Sequence, residues 1–281
     1  MSQAGPASLR LTPGRIAALA LGVPFALGLI AFGGFDMVSA LGQASFPVNH
    51  TFTVTDGKVT AQIAGNITLK QAHRSDAWLD GTARYSLFRP AISESGGTVN
   101  FDCHFYLGNC SLDGTLEVPE NAAVSLSTAG GDVTLGNYTG DLTLHSDGGN
   151  LSADELTGSR LSLTTSGGDV NVNTLTVSGT TALNLASDGG NISAQNVTAK
   201  AATVTTAGGD VYIRYTRGPQ SVTINADGGN VTLVLPHGDY AFNVGSDGGN
   251  VSYPSGENDL GAADKINVHT AGGDINVTEA K

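Results

Sequence analysis

From Val124 to Val277 apolar and polar residues alternate in short runs, and the runs come in pairs. Val124 and Leu126 precede Val133 and Leu135; Leu142 and Leu144 precede Leu151 and Ala153; Leu161 and Leu163 precede Val170 and Val172. The pattern continues through Leu183/Leu185 with Ile192/Ala194, Val222/Ile224 with Val231/Leu233, and Ile266/Val268 with Ile275/Val277. Between these residues stand mostly Thr, Ser, Asn and Asp, so each run is a short strand with one apolar and one hydrophilic face. A glycine pair separates the two runs of every unit: Gly130-Gly131, Gly148-Gly149, Gly167-Gly168, Gly189-Gly190, Gly208-Gly209, Gly228-Gly229, Gly248-Gly249 and Gly272-Gly273. A second turn, as at Thr139-Gly140 or Thr157-Gly158, closes most units. The period is close to twenty residues, the mark of a repeat architecture.

A single unit buries too few aliphatic side chains to offset the entropy of ordering its backbone, so the units must stack or pair. In a parallel β-helix each unit is one coil laid about 4.8 Å from the last. In an antiparallel meander each glycine pair is a hairpin turn. Acidic residues favour the first. Before the pair the chain has Ala129, Asp147, Ser166, Asp188, Ala207, Asp227, Asp247 and Ala271; after it come Asp132, Asn150, Asp169, Asn191, Asp210, Asn230, Asn250 and Asp274. Each unit has one carboxylate at this corner, and it changes sides from unit to unit except between Asp227 and Asp247. Alternation doubles the separation of like charges in a stack and halves their repulsion. The expected fold is therefore all-β, a single-stranded parallel β-solenoid of about eight coils over residues 121–281, with the glycine pairs as structural turns.

The rest of the chain reads differently. Residues 1–15 are polar with Arg10 and Arg15, and Ile16–Phe35 has no charge, a length that spans a bilayer as a helix. The arginines before it place the N-terminus in the cytoplasm and the bulk of the chain outside. The expectation is a single-pass signal anchor, a linker over 36–45, and an ectodomain beyond. Cleavage near Val38-Ser39-Ala40 or Gly42-Gln43-Ala44, with secretion, is the alternative. Residues 46–120 are β-like but irregular, and Trp78 finds no place in the pattern. Cys103 and Cys110 are the only cysteines; in an exported chain so close a pair predicts a disulfide.

With these residues in view, the chain resembles the "putative-adhesin" family of bacterial envelope proteins, whose members repeat a Gly-Asp-Val type turn between short strands. The resemblance spans Arg89 to Val277 and rests on Arg89-Pro90-Ala91-Ile92-Ser93-Glu94, the Cys103/Cys110 loop, Leu116-Glu117-Val118-Pro119-Glu120-Asn121 and the repeats from Val124. An anchor ahead of the domain is similar to many actinobacterial members. The resemblance implies a β-solenoid without catalytic residues.

Candidate chemistry is sparse. The chain has 13 Lys+Arg against 25 Asp+Glu, and its acidic surface excludes nucleic acid as an expected partner. Gly-Gly-Asp turns invite a calcium reading, but calcium rolls need a nine-residue repeat. Here Asp and Asn are read as turn residues and glycine as the source of positive φ. The histidines are scattered, and no nucleophile elbow or phosphate loop is present, so no cofactor is expected. Asp154 and Glu155 come nearest to an acid pair, without an acidic partner in the next unit. One unit differs: Tyr212 and Arg214 share an outward face, a pairing suited to carbohydrate or acidic ligands. The expected role is that of a non-enzymatic, membrane-anchored adhesin-like or scaffold protein contacting envelope proteins or glycans. A regulatory partner in envelope stress and a polysaccharide-acting β-helix enzyme are the alternatives.

Overall fold

Alternation puts every second side chain on one face of a strand, and parallel stacking lines those side chains up in columns. The computed structural model, which describes residues 43–86, 89–95, 97–103, 109–254 and 259–280, is built of such columns. The expected anchor over 16–35 lies outside these residues. The described residues are all-β, with strands in one sheet of twelve and another of eleven. Each coil contributes one strand to each sheet. Leu142–Ser146 pairs in parallel with Ala123–Thr128 and Leu161–Thr165, while Leu151–Gly158 pairs in parallel with Val133–Thr139 and Val170–Val177. Parallel pairing throughout the repeats removes the antiparallel meander.

The core lies between the sheets. One column runs Leu126, Leu144, Leu163, Leu185, Val204, Ile224; facing it is Val133, Leu151, Val170, Ile192, Val211, Val231, all buried. Four strands after the glycine pair run longer than the alternation suggests and bury a third residue three positions on, Tyr138, Leu156, Leu175 and Val197, whereas Tyr215 follows Ile213 by two in regular alternation. Burial pushes the phenols of Tyr138 and Tyr215 well above the usual range, with Asp141 adding to the shift at Tyr138. Tyr138 donates to the Ala122 carbonyl, whereas the Tyr215 hydroxyl has no partner.

Both ends of the stack depart from chain order. Lys58–Ile63 pairs with Thr98–Asp102 on one side and Ala123–Thr128 on the other, while Ile67–Ala72 lies between Cys110–Pro119 and Val133–Thr139. The first coil is thus enclosed by two later ones. At the far end, Asp264–Thr270 lies between Ser221–Ala226 and Tyr240–Ser246, and Ile275–Glu279 between Val231–Leu235 and Val251–Ser252, so the last coil is enclosed by earlier ones. Neither terminal coil can fray without breaking ladders on both flanks. The region 46–120, expected to stand apart as irregular, therefore supplies two coils of the same stack. They escape the repeat count because neither turns between the sheets at a glycine pair: the corner of one is Ala64-Gly65-Asn66, and the other passes between Cys103 and Cys110, which form a disulfide with Cα atoms 6.0 Å apart, while Gly96-Gly97 stands before Thr98.

Antiparallel strands finish this end. Ala77–Tyr85 pairs with Cys110–Pro119, Ala44–Phe52 with Ala77–Tyr85, and Ala91–Ser95 with Thr98–Asp102. Trp78 faces outward here, donating its indole N–H to Asn49 at 3.0 Å beneath the Arg74 guanidinium, 5.4 Å from the ring centroid. Arg74 also binds Asp76 and Glu117, and its hydrogen bond holds the Asp76 carboxyl below the usual range.

The second glycine of a pair is the one that stacking demands. A Cβ on Gly168 would meet the Gly149 carbonyl oxygen at 2.2 Å, whereas a Cβ on Gly167 has its nearest neighbours at 3.7 Å. Gly168→Ala should therefore lower stability by about 3 kcal/mol or more, and Gly167→Ala by well under about 1 kcal/mol, read from urea midpoints of the two variants. Equal midpoints would remove the stacking explanation.

Candidate functional site

The corner between the sheets carries most of the polar chemistry. At all eight pairs the second glycine lies against the carbonyl of the coil below, a Cβ there meeting that oxygen at 1.8–2.2 Å. Among the described glycines of these eight pairs only Gly130 has a positive φ, of 89°. This corrects the expectation that glycine serves there to supply positive φ; close backbone approach is the reason. A hydroxyl two positions before the pair completes six of the corners in one way. Thr165 Oγ1 donates to the Gly149 carbonyl at 2.8 Å and accepts the Gly168 N–H at 3.1 Å; Ser146, Ser187, Thr206, Thr270 and Ser246 repeat both contacts. Ala226 stands at this position in its coil without a hydroxyl.

Outside the corner runs a ladder. In spatial order it reads Asp113, Asn66, Asp132, Asn150, Asp169, Asn191, Asp210, Asn230, Asp274, Asn250. From Asp132 onward each backbone N–H donates to the side-chain Oδ1 of the rung below at 2.7–2.9 Å. Asn150, Asn191, Asn230 and Asn250 also donate their amides to the carboxylate below at 3.2–3.3 Å. Acid and amide alternate at every step. The one break in the sequence, Asn230 followed by Asn250, disappears because the last coil places Asp274 between them. The column before the glycines orders itself likewise: Ala129, Asp147, Ser166, Asp188, Ala207, Asp227, Ala271, Asp247. At its lower end the ladder stops at Asp113, which Arg84 binds.

The outer faces of the two sheets are flat and polar. Tyr212 is 38% exposed and lies between Ser193 and Thr232 on one of them; Arg214, also exposed, lies beside Val234. Both therefore face the same side, as expected. On the other sheet His145 contacts Asp147 at 3.0 Å, and His269 lies 3.7 Å from Asp247. Two shallow features interrupt that face: a groove of about 460 Å³ bordered by Gln62, Asn100, Asp102, Ser127 and Asp147, and a notch of about 260 Å³ lined by Asn225, Asn243, Asn267 and His269. The notch exists because Gly245 offers no side chain opposite His269.

Residues 95–278 match the family model described as Toastrack DUF4097. The chain belongs to the Toastrack family. No curated protein matches it. Among solved structures, a putative adhesin from Bacteroides fragilis aligns over 84% of this chain and 97% of its own, at 16% identity and a TM-score of 0.49. A putative adhesin from Parabacteroides merdae aligns over 84% and 96% at 10% identity and 0.44, and a putative lipid binding protein from Parabacteroides distasonis over 84% and 97% at 13% identity and 0.40.

In this Toastrack chain the carboxylates after the glycine pairs, Asp132, Asp169, Asp210 and Asp274, are engaged by backbone N–H groups, and Asp154 accepts the Asn173 amide at 3.2 Å. Among the described residues no three His, Cys, Asp or Glu side chains gather as a metal site would require. The signal missed in the sequence was the Ser or Thr two positions before seven of the eight glycine pairs, whose recurrence marks a donor and acceptor at the corner.

Asn191→Asp would set carboxylates on three successive rungs and remove an amide donor. Each adjacent pair adds roughly 1 kcal/mol of repulsion in a water-like dielectric, so the variant should be less stable by about 2 kcal/mol at neutral pH. Repulsion raises a carboxyl pKa above its unfolded value, which destabilises at high pH and is relieved by protonation; the deficit should shrink as pH falls through about 4. Urea midpoints across that range check the sign, and a deficit that grows on acidification would refute it. Ala226→Ser should restore the missing hydroxyl and raise stability by about 1 kcal/mol, read from the melting temperature.

Proposed function

We propose that this protein is a non-enzymatic, adhesin-like or scaffold component of the cell envelope, held by its N-terminal segment 16–35 and presenting the solenoid outside the cytoplasmic membrane. The observation that carries this reading is how the corner acids are used. The after-pair aspartates, from Asp132 to Asp274, each accept a backbone N–H from the adjoining coil, so they serve the stack. What remains for partners is two long, flat, hydroxyl- and amide-rich faces, a shape suited to extended contact with other envelope molecules and not to enclosing a small substrate. Membership of the Toastrack family supports the architecture. The shared outward placement of Tyr212 and Arg214 gives one face an aromatic and guanidinium patch, which we take as its glycan contact.

Two measurements test this. On intact cells carrying the full chain with a C-terminal epitope, external protease should remove the epitope; full protection would place the solenoid inside and end the proposal. The Tyr212→Ala, Arg214→Ala double variant should bind isolated cell-wall glycan at least about tenfold more weakly than the parent chain, while melting at the same temperature. Unchanged glycan binding would remove the patch from the contact.

A further inference from the structure

Charge in the repeats is divided between the two edges of the stack. One aspartate stands beside each of the eight glycine pairs, whereas the five Lys and Arg residues from 121 to 280, namely Arg160, Lys200, Arg214, Arg217 and Lys265, all lie at or near the second turns. Two of the five sit with local partners. Asp141 accepts the Arg160 backbone N–H at 2.9 Å, which sets a carboxylate at that turn, and Lys265 donates its ammonium to the Ala262 carbonyl at 2.6 Å. Lys200, Arg214 and Arg217 are exposed, and among the described residues none of them pairs with a carboxylate.

Local structure brings these three together. Thr216 is tied to the coil below by its N–H to the Val197 carbonyl at 2.9 Å and its hydroxyl to that of Thr198 at 2.8 Å, and Gln220 by its N–H to the Lys200 carbonyl at 2.7 Å. Between these ties one residue, Ala199, lies in the lower coil and three, Arg217, Gly218 and Pro219, in the upper. Ala199 and Pro219 are both buried, so Arg217 and Gly218 are the surplus, and Arg217 stands out from a turn stacked about 4.8 Å above the one that carries Lys200. Arg214 lies two residues before Thr216 on the outer face of the sheet, with Tyr212 next along that face. Opposite Arg214 the strand Ile192–Thr198 carries a bulge, Gln195 and Asn196 against one residue, with Asn196 at a φ of 50°. The turn below, residues 178–182, carries no charge. Asp210, at the other end of the strand, is separated from Arg214 by about 13 Å of extended chain, beyond the Debye length of about 8 Å in physiological salt.

We propose that Lys200, Arg214 and Arg217, beside the Tyr212 ring, bind the anionic groups of an acidic glycan. The inference rests on the glycan reading of Tyr212 and Arg214 and narrows it from sugars in general to those that carry charge. Three cations gathered on adjoining coils repel one another, and an anion shared among them relieves that repulsion. The two guanidinium forks fit carboxylate and phosphate alike, by two-point contact. Shape selects the kind of molecule. Tyr212 and Arg214 lie on a sheet face while Lys200 and Arg217 lie on the turns that bound it, so a planar anionic bilayer cannot meet all four, whereas a flexible chain can follow the bend. Such a chain finds the Ser193 and Thr232 hydroxyls on either side of Tyr212 and the Gln195 amide next to Arg214, donors and acceptors that match sugar hydroxyls.

The test uses the purified full chain in mild detergent and three oligosaccharides of equal length: an oligogalacturonate, which carries carboxylates, the same chain methyl-esterified and therefore neutral, and a phosphorylated glucan. An acidic probe should bind at least about tenfold more tightly than the neutral one, and less tightly as salt rises. The order of the two acidic probes assigns the group as carboxylate or phosphate. Lys200→Gln with Arg217→Gln, which leaves Tyr212 and Arg214 in place, should weaken acidic binding by about tenfold while neutral binding and the melting temperature stay as they were. Equal affinity for the esterified chain, or acidic binding untouched by the double variant, overturns the proposal and leaves Tyr212 and Arg214 as a neutral-glycan contact; no binding to any of the three removes both readings. Tighter binding of an oligoglutamate or of anionic lipid vesicles than of any glycan also overturns it, in favour of a peptide or a bilayer.

Discussion

The constraint on which the structure depends is the approach of one backbone to the next at the glycine corner. Neighbouring strands in a sheet are held about 4.8 Å apart by their hydrogen bonds, and a chain that turns from one sheet to the other must keep that spacing through the turn. At the second glycine it does so by laying its Cα against the carbonyl of the coil below, where a Cβ would stand 1.8–2.2 Å from oxygen. Everything else at the corner follows from bringing peptide groups so close. Polar backbone atoms become buried there and must be satisfied from nearby. The hydroxyl two positions before the pair meets one donor and one acceptor, and the residue after the pair ties its own coil to the next through the side chain of the rung below.

The ladder solves an electrostatic problem created by the same spacing. A column of identical carboxylates would repel, and a column of amides alone would forgo the stronger hydrogen bond to an ionised acceptor. Alternation avoids both. A carboxylate accepts two N–H groups from above, while an amide offers its oxygen upward and its N–H downward. The arrangement has a direction, which is why its ends differ chemically: an acid at the bottom, met by Arg84, and an amide at the top.

The stacking of coils was legible from Val124 onward because burial on one side of a strand writes period-two alternation into the sequence, and the glycine pairs punctuate it. The parallel arrangement was legible in the alternating acids. What escaped reading has physical causes. Tyr138, Leu156 and Leu175 follow the preceding inward residue by three positions, because the strand shifts its alternation toward the second turn, and a period-two search passes over them. The coil Lys58–Ala72 has a corner one residue shorter than the others, so Gly65 stands alone although Asn66 occupies its rung. The outward placement of Tyr212 and Arg214 needed only alternation and was readable. The exposure of Val251 was not, since inward and outward are defined by neighbouring coils and among the described residues this strand pairs on one side alone.

Chain order and stack order coincide through the middle of the molecule and part at both ends, and the parting explains the break in the acidic column. Asn230 and Asn250 are consecutive in the repeats, an arrangement that would waste a rung if their coils touched. Inserting the last coil places Asp274 between them and restores alternation, so the ladder and the insertion require each other: a chain ending with its coils in order would set two amides together and leave Asp274 on the outermost rung. The insertion thereby decides which strand becomes the edge. It buries Asp264–Thr270, with its Asp264 and Lys265, inside the sheet and leaves the uncharged Tyr240–Ser246 outermost. The two ends of the stack therefore differ in build: antiparallel strands carrying Pro47 and Glu94 finish one, and a coil returning out of chain order lies next to the outermost strands of the other.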